Sequence, residues 1–169
     1  SLNALGRMHI DDLCRYRGMG SAKAITLLAA CELGRRRMSE EVKLNDRFDS
    51  AENVYRYFLG KMQHLDVEEC RVMLLNTQLR YVADCCLSRG GIGKTVVDIR
   101  LALKQALLHN ATRMILCHNH PTGVAQPSAD DDHLTQKLKR AAETLDLRLL
   151  DHVIVADAGY YSYAEHGRL

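Results

Sequence analysis

The chain has 169 residues, 47% of them hydrophobic and 26% charged, enough apolar mass for one ordinary domain or one domain with a small appendage. Its 23 basic and 21 acidic residues leave a net charge of +2, which gives no general signal for nucleic acid or a membrane surface. No apolar run approaches the roughly 18 to 20 residues that span a bilayer, and six cysteines without a C-x-x-C pair argue against a disulfide framework and for a reducing, cytoplasmic setting.

Residues 1 to about 37 read as helices. Ser1 is not an initiator methionine and no basic region with an apolar block follows it, so no secretory signal is read and an N-terminal part is expected to precede it. Ile10, Leu13 and Cys14 make one short amphipathic stretch; Ala22, Ile25, Leu28, Ala29 and Leu33 make a second. Between them Gly18-Met19-Gly20 predicts a tight turn with close backbone approach. Residues 35 to 50, with Arg35-Arg36-Arg37 and Glu40-Glu41, read as a polar linker.

A helix is predicted over residues 50 to 63, with Ser50 as N-cap and Val54, Tyr57, Phe58 and Leu59 as its apolar face. Residues 70 to 75 read as a strand, Asn76-Thr77-Gln78 as a turn, and residues 80 to 87 as a returning strand. A loop over 89 to 93 leads to a helix over 96 to 109, whose face is Ile99, Leu103, Ala106 and Leu107. Then come a short strand over 113 to 117, a helix over 129 to 145, a strand over 147 to 156, a turn at Asp157-Ala158-Gly159 and a last strand at 160 to 163. From residue 70 onward the order ββαβαββ belongs to an α/β fold with a mixed sheet.

The short strand runs into His118-Asn119-His120. Alternate residues of an extended segment point to the same side, so both imidazoles face one way. Cys117 faces the other way and fills core. Asp131, eleven residues after His120, can return to complete a three-ligand site. Two imidazoles and a carboxylate suit Zn2+, and three protein ligands leave the open position that a catalytic zinc needs. Ser128-x-x-Asp131 also reads as a helix N-terminus, Ser128 being the cap and Asp131 the third residue of a capping box. The two readings agree, because a first-turn carboxylate can face a metal while the helix holds it rigid. Pro121 stops the strand and Gly123 permits the turn that brings Asp131 back. His9, His64, His109, His133 and His166 are isolated and read as solvated; His152, after Asp151 in a strand, is a core histidine or a support for a ligand. A zinc hydrolase also needs a base. Glu68-Glu69 opens the first strand, and this acidic pair is either that base or a solvated strand end.

These residues resemble a known pattern. His118-Asn119-His120-Pro121-Thr122-Gly123, then Pro127-Ser128, then Asp131 resemble the JAMM (MPN+) metalloprotease motif, a glutamate followed by H-x-H-x(7)-S-x-x-D, and in particular the bacterial RadC-like JAB domain. The resemblance extends to Leu149-Leu150-Asp151-His152-Val153-Ile154-Val155 and to Tyr160-Tyr161-Ser162-Tyr163-Ala164-Glu165 and covers about residues 50 to 169, with the domain itself expected over 48 to 169. It implies a cytidine-deaminase-like mixed sheet flanked by helices. It implies that His118, His120 and Asp131 bind Zn2+ and that Ser128 helps hold an oxyanion. The family glutamate falls on Glu68, with Glu69 as the fallback after a one-residue slip. The chain departs from the family pattern at Thr122, normally serine, at Asn76, normally aspartate, and at Asp98-Ile99-Arg100, where a proline–arginine pair is common; none of these is a ligand.

Residues 1 to 40 resemble the small helical unit that precedes this domain in the family. Leu13, Gly18, Met19, Gly20, Lys23 and Ala24 look like a helix-hairpin-helix. That resemblance implies that the backbone around Gly18 and Gly20, with Lys23, meets a nucleic-acid phosphate. Three functions are therefore carried forward: a zinc hydrolase acting on a peptide or isopeptide bond in a protein or peptide substrate, a DNA-associated protein whose zinc site is secondary, and a zinc-binding interaction module without turnover.

Overall fold

The computed structural model describes residues 2–40, 46–90 and 97–169. The chain divides into two compact units, Ser1–Glu41 and Val42–Leu169. The first holds helices α1 (Leu2–Gly6), α2 (Ile10–Cys14) and α3 (Ser21–Glu40). The stretch from residue 35 to 40, read as linker, is the end of α3: arginine and glutamate are good helix formers, so a polar run does not by itself mark a break. Leu13 and Ala24 are buried, whereas Ile25 and Leu33 are exposed, so the predicted apolar face of α3 is not the one this unit buries. Gly18, with φ +86°, makes the turn between α2 and α3.

The second unit is a five-stranded mixed sheet with helices on both faces. Its elements are α4 (Ala51–Met62), β1 (Glu69–Leu75), β2 (Tyr81–Arg89), α5 (Ile99–Leu108), β3 (Arg113–Asn119), α6 (Ala129–Glu143), β4 (Arg148–Ala156) and β5 (Gly159–Ser162). The strand order is β2-β1-β3-β4-β5; β3 and β4 run parallel and every other neighbouring pair is antiparallel. The predicted loop falls outside the described residues from 91 onward. The last six residues of the linker stretch include Phe48, which is buried in the core of this unit.

Period-two alternation assigns the two faces. Met73, Leu75, Ile115, Cys117, Val153 and Val155 pack with Val54, Tyr57, Phe58 and Met62 of α4. Val72, Leu74, Met114, Leu116 and Leu149 pack with Ala102 and Ala106 of α5 and Leu138 and Ala142 of α6. Burying such side chains stabilises the sheet by about 1.5 to 3 kcal/mol each. Leu107, assigned to the buried face of α5, is exposed; Ala106 of that face is buried beside Ala102, and Ile99 and Leu103 pack partly buried against the same core. Side chains fix where the helices start. Ser50 Oγ accepts from Asn53 N at the head of α4, and Asp98 accepts from Arg100 N at the head of α5. At the turn after β1, Asn76 Oδ1 accepts from Gln78 N and Arg80 N, a job its amide oxygen does as well as a carboxylate. No helix among the described residues is long and apolar enough to cross a membrane.

Candidate metal centre

The α5–α6 face of the sheet ends in a group of polar side chains. His118 is the second-last residue of β3, and His120 lies just beyond the strand, on the same side. Pro121 and Thr122 lead into Gly123, whose φ of +82° is a conformation that a residue with a Cβ resists. Gly123 N donates to His120 O at 3.0 Å. The loop then reaches α6, where Ser128 is the N-cap in a reciprocal capping box: Asp131 N donates to Ser128 Oγ, and Ser128 N donates to Asp131 Oδ2. Ser128 Oγ also donates to Asp131 Oδ2, at 2.7 Å, so that oxygen accepts twice and Oδ1 is turned towards the histidines. The β1–β3 register sets Cys70 opposite His118. Two residues on, past the end of the ladder, it sets Glu68 opposite His120.

Glu68, His118, His120 and Asp131 each bring one ligand atom into a group whose members lie within 4.8 Å of one another. His118 Nε2 is 2.9 Å from His120 Nε2, 3.3 Å from Asp131 Oδ1 and 3.7 Å from Glu68 Oε1; His120 Nε2 is 3.9 Å from Asp131 Oδ2. A tetrahedral zinc with bonds of about 2.0 to 2.1 Å holds its ligand atoms roughly 3.3 Å apart. The two imidazoles and Asp131 stand 2.9, 3.3 and 3.9 Å apart, values that bracket that spacing.

The protons of the two histidines give a second test of fit. Thr135 has one hydroxyl proton and donates it to Asp131 O at 2.6 Å. Its oxygen must therefore accept from His152 Nδ1, also at 2.6 Å. The lone pair of His152 is then on Nε2, where His118 Nδ1 donates at 2.8 Å. Burial holds both His118 and His152 below the usual imidazole range, and Asp131 only partly offsets this at His118, so each carries a single proton. His118 Nε2 consequently presents a lone pair. His120 Nδ1 donates to Val124 O at 2.8 Å, so in the neutral imidazole its Nε2 presents a lone pair as well. Two nitrogen lone pairs facing each other across 2.9 Å repel unless a cation lies between them. The donor set, its spacing and its fixed tautomers all fit a bound divalent ion.

Glu68 is half-buried. Burial raises its carboxyl, with Asp131 adding to the rise and His120 opposing it. Glu69 faces the opposite side of the sheet, where its carboxylate accepts from Arg71 Nη1 at 2.7 Å and pairs with Arg89 at 3.2 Å. Three supports escaped the sequence reading. Thr135 was unassigned, although it follows Asp131 by four residues and so shares its helix face. Asn119 points to the α4 side and is 3% exposed. Tyr163 stacks on the His152 ring with centroids 4.9 Å apart, and its hydroxyl donates to Asp132 of α6. Gly18 and Gly20 lie in the α2–α3 turn of the other unit. There Lys23 Nζ donates to Gly18 O at 3.0 Å on an exposed surface. Among the remaining histidines His9, His109, His133 and His166 are exposed and His64 is half-buried.

The family model described as RadC-like JAB domain matches residues 48–168. A UPF0758 protein of Flavobacterium johnsoniae is 39% identical over 167 residues, 99% of this chain and 73% of that protein. A UPF0758 protein of Porphyromonas gingivalis is 41% identical over 171 residues, covering all of this chain and 75% of that protein. One from Thermotoga maritima is 37% identical over 169 residues, again all of this chain, and 76% of its own length.

Proposed function

This chain belongs to the RadC-like JAB domain family, and from that membership and the geometry of the site we propose that it is a zinc-dependent hydrolase of the JAMM type, cleaving a peptide or isopeptide bond in a protein or peptide substrate. The observation that carries the proposal is the pair of opposed lone pairs at His118 and His120, with Asp131 Oδ1 and Glu68 Oε1 beside them. His118, His120 and Asp131 would hold Zn2+, which when bound supplies a Lewis acid for the scissile carbonyl and an acidified water.

The chain's own residues do the rest. The Glu68 carboxylate takes a proton from the attacking water and returns it to the leaving amine nitrogen. It suits that task because it is raised by burial but not sealed in, its side chain being 32% exposed. Val124 O and the His152–Thr135 pair hold the two ligand imidazoles in the tautomer that donates a lone pair. Ser128 holds Asp131 through its hydroxyl; as the oxyanion donor expected from the family motif, that hydroxyl would turn its proton from Asp131 to the carbonyl oxygen that gains charge.

Protein prepared without chelators should carry close to one zinc per chain by elemental analysis. It should also cleave members of a quenched-fluorescence peptide library in a chelator-sensitive way. His120→Ala should lose most of the zinc. Equal metal in parent and variant would overturn the assignment.

A second reading, contact of the N-terminal unit with nucleic-acid backbone, is supported by the Gly18–Gly20 turn and the lysine beside it. Affinity would fall steeply with salt and vary little with sequence. Unchanged DNA affinity after removal of residues 1 to 40 would exclude it.

A further inference from the structure

The β1–β3 ladder ends at the Cys70–His118 pair. At the next position the backbone of Glu69 is held by a side chain. Asn119 Oδ1 accepts from Glu69 N at 2.8 Å, and Asn119 Nδ2 donates to Val67 O at 3.1 Å. One buried amide thus grips the chain on both sides of Glu68. A third bond, from Gly90 N to Glu68 O at 2.8 Å, fixes the residue itself from the β2 side.

The residue type is informative. The grip needs an acceptor and a donor on one short side chain, and among residues of that length only asparagine carries both. Asn119 also lies between His118 and His120. By strand alternation its side chain leaves the face they occupy, so it reaches the strand that carries Glu68 without taking a ligand position.

We propose that Asn119 is a positioning residue for Glu68, setting the distance between the glutamate carboxylate and the histidines by clamping the backbone at Val67 and Glu69. The proposal rests on the reading of Glu68 as the base of a metal site. It separates two kinds of support. The His152–Thr135 pair orients a ligand, so its loss weakens metal binding. The Asn119 clamp orients the base, so its loss leaves metal binding largely intact and moves the glutamate.

Full-length protein loaded with Co2+ tests this, because cobalt accepts the same nitrogen and oxygen ligands and its visible absorption responds to the geometry around it. Four proteins are compared: parent, Glu68→Gln, Asn119→Ala and the double variant. Asn119→Asp accompanies them; it keeps the acceptor for Glu69 N and turns a carboxylate oxygen towards Val67 O where the amide donated, which breaks that half of the clamp by repulsion, so it carries the test if Asn119→Ala does not fold.

All should take up cobalt, with affinity lowered by less than the roughly tenfold that marks loss of a ligand's direct hydrogen-bond partner. The spectrum of Asn119→Ala should move in the direction of Glu68→Gln. The double variant should match Glu68→Gln alone, since a misplaced glutamate and a missing one leave the same site. A merely structural asparagine would lower the melting temperature and leave the spectrum at the parent's. An asparagine acting on the histidines would give spectral changes that add in the double variant. Either result overturns the clamp while leaving the metal site standing. A parent that takes no cobalt, or a Glu68→Gln spectrum identical to the parent's, overturns the hydrolase reading and the clamp with it.

Discussion

Two buried polar clusters lie on opposite faces of the same sheet, and they are built on opposite rules. On the α4 side the Asp84 carboxylate is 4% exposed and is surrounded by donors: Lys61 Nζ at 2.6 Å, Arg71 Nε at 2.8 Å, Tyr81 OH at 2.9 Å and the Tyr57 hydroxyl. Glu69 joins through Arg71. Every carboxylate oxygen there meets a donor, and opposite charges are interleaved. On the α5–α6 side four acceptors converge, with two imidazole lone pairs and two carboxylates turned towards one point. Both clusters are costly to bury. The first offsets that cost within itself, so it is a structural element that ties α4 to β1 and β2. The second gathers negative charge and lone pairs on one point, the arrangement that a bound cation would neutralise. Counting charged residues in the two places would not tell them apart; following the protons does.

The sharpest way to break this contrast is to exchange the adjacent glutamates. Glu68→Gln should keep the fold and the zinc while peptide hydrolysis falls by about 10² to 10⁴, the usual loss for a missing general base. Glu69→Gln should leave hydrolysis near the parent rate, because its carboxylate serves Arg71 and Arg89 on the far face. Steady-state rates beside zinc content decide it. An inactive Glu69→Gln with an active Glu68→Gln would mean the saturated cluster is the catalytic one.

The complementary test acts on the saturated cluster. Asp84→Asn removes the charge that faces Lys61 and Arg71, leaving Lys61 without its carboxylate and Arg71 with Glu69 alone. Breaking a buried pair from one side costs about 3 to 5 kcal/mol. The low end is expected, since Lys61 and Arg71 are 26% and 21% exposed. Urea unfolding should show that loss while zinc stoichiometry stays at the parent level. A variant that loses zinc as readily as stability would show that the two faces are not independent.

A smaller effect is expected at the support of His118. Thr135→Val keeps the shape and removes the oxygen that accepts from His152 Nδ1. His152 is then free to present its other tautomer to His118, and the lone pair aimed into the site is no longer enforced. Removal of such partners typically lowers metal affinity about 10- to 100-fold. Competition against a chromogenic chelator measures it, and parent-like affinity would show that His118 finds its tautomer without this route.

How much of this could be read from the chain depended on sequence distance. The elements were legible because period two and period 3.6 are local, and so were the strand parity of His118 and His120 and the Ser128–Asp131 cap. The face of Glu68 against Glu69 was not fixed by pattern, because it depends on the register that sets Cys70 opposite His118, a pairing across 48 positions. Asn119 grips residues about 50 positions away, and nothing local marks it as other than the variable middle of His-x-His. The Asp84 cluster was invisible for the same reason: Asp84 sits in an ordinary alternating strand, and its partners come from α4 and β1. In the N-terminal unit the pattern misled, since apolar periodicity in α3 named Ile25 and Leu33 as a buried face and this unit leaves them exposed.

The smallest expected effect is an acid limb on stability that belongs to Asp84 alone. Burial pushes its carboxyl up, but Lys61, Tyr57 and Arg71 together outweigh burial and hold it at about 2, below the 3.8 of an unperturbed aspartate. The folded state therefore binds the proton more weakly than the unfolded chain does. A depressed acid of this kind contributes stability that is complete above the unfolded value and is lost as pH falls through the folded one. By linkage the whole contribution is about 2 kcal/mol, of which roughly 1 kcal/mol should be gone by pH 3. Asp151 works in the other direction, because burial raises it and acid relieves its cost. The parent's acid limb alone would mix the two. The difference between the parent and Asp84→Asn separates them: Asp151 shares no partner with Asp84, is common to both proteins and cancels. Unfolding free energies of the two proteins, measured at intervals from pH 5 to pH 3, should converge by about 1 kcal/mol. A gap that stays constant over that range would mean Asp84 titrates at its ordinary value, and that its donors fill space around a carboxylate they do not stabilise.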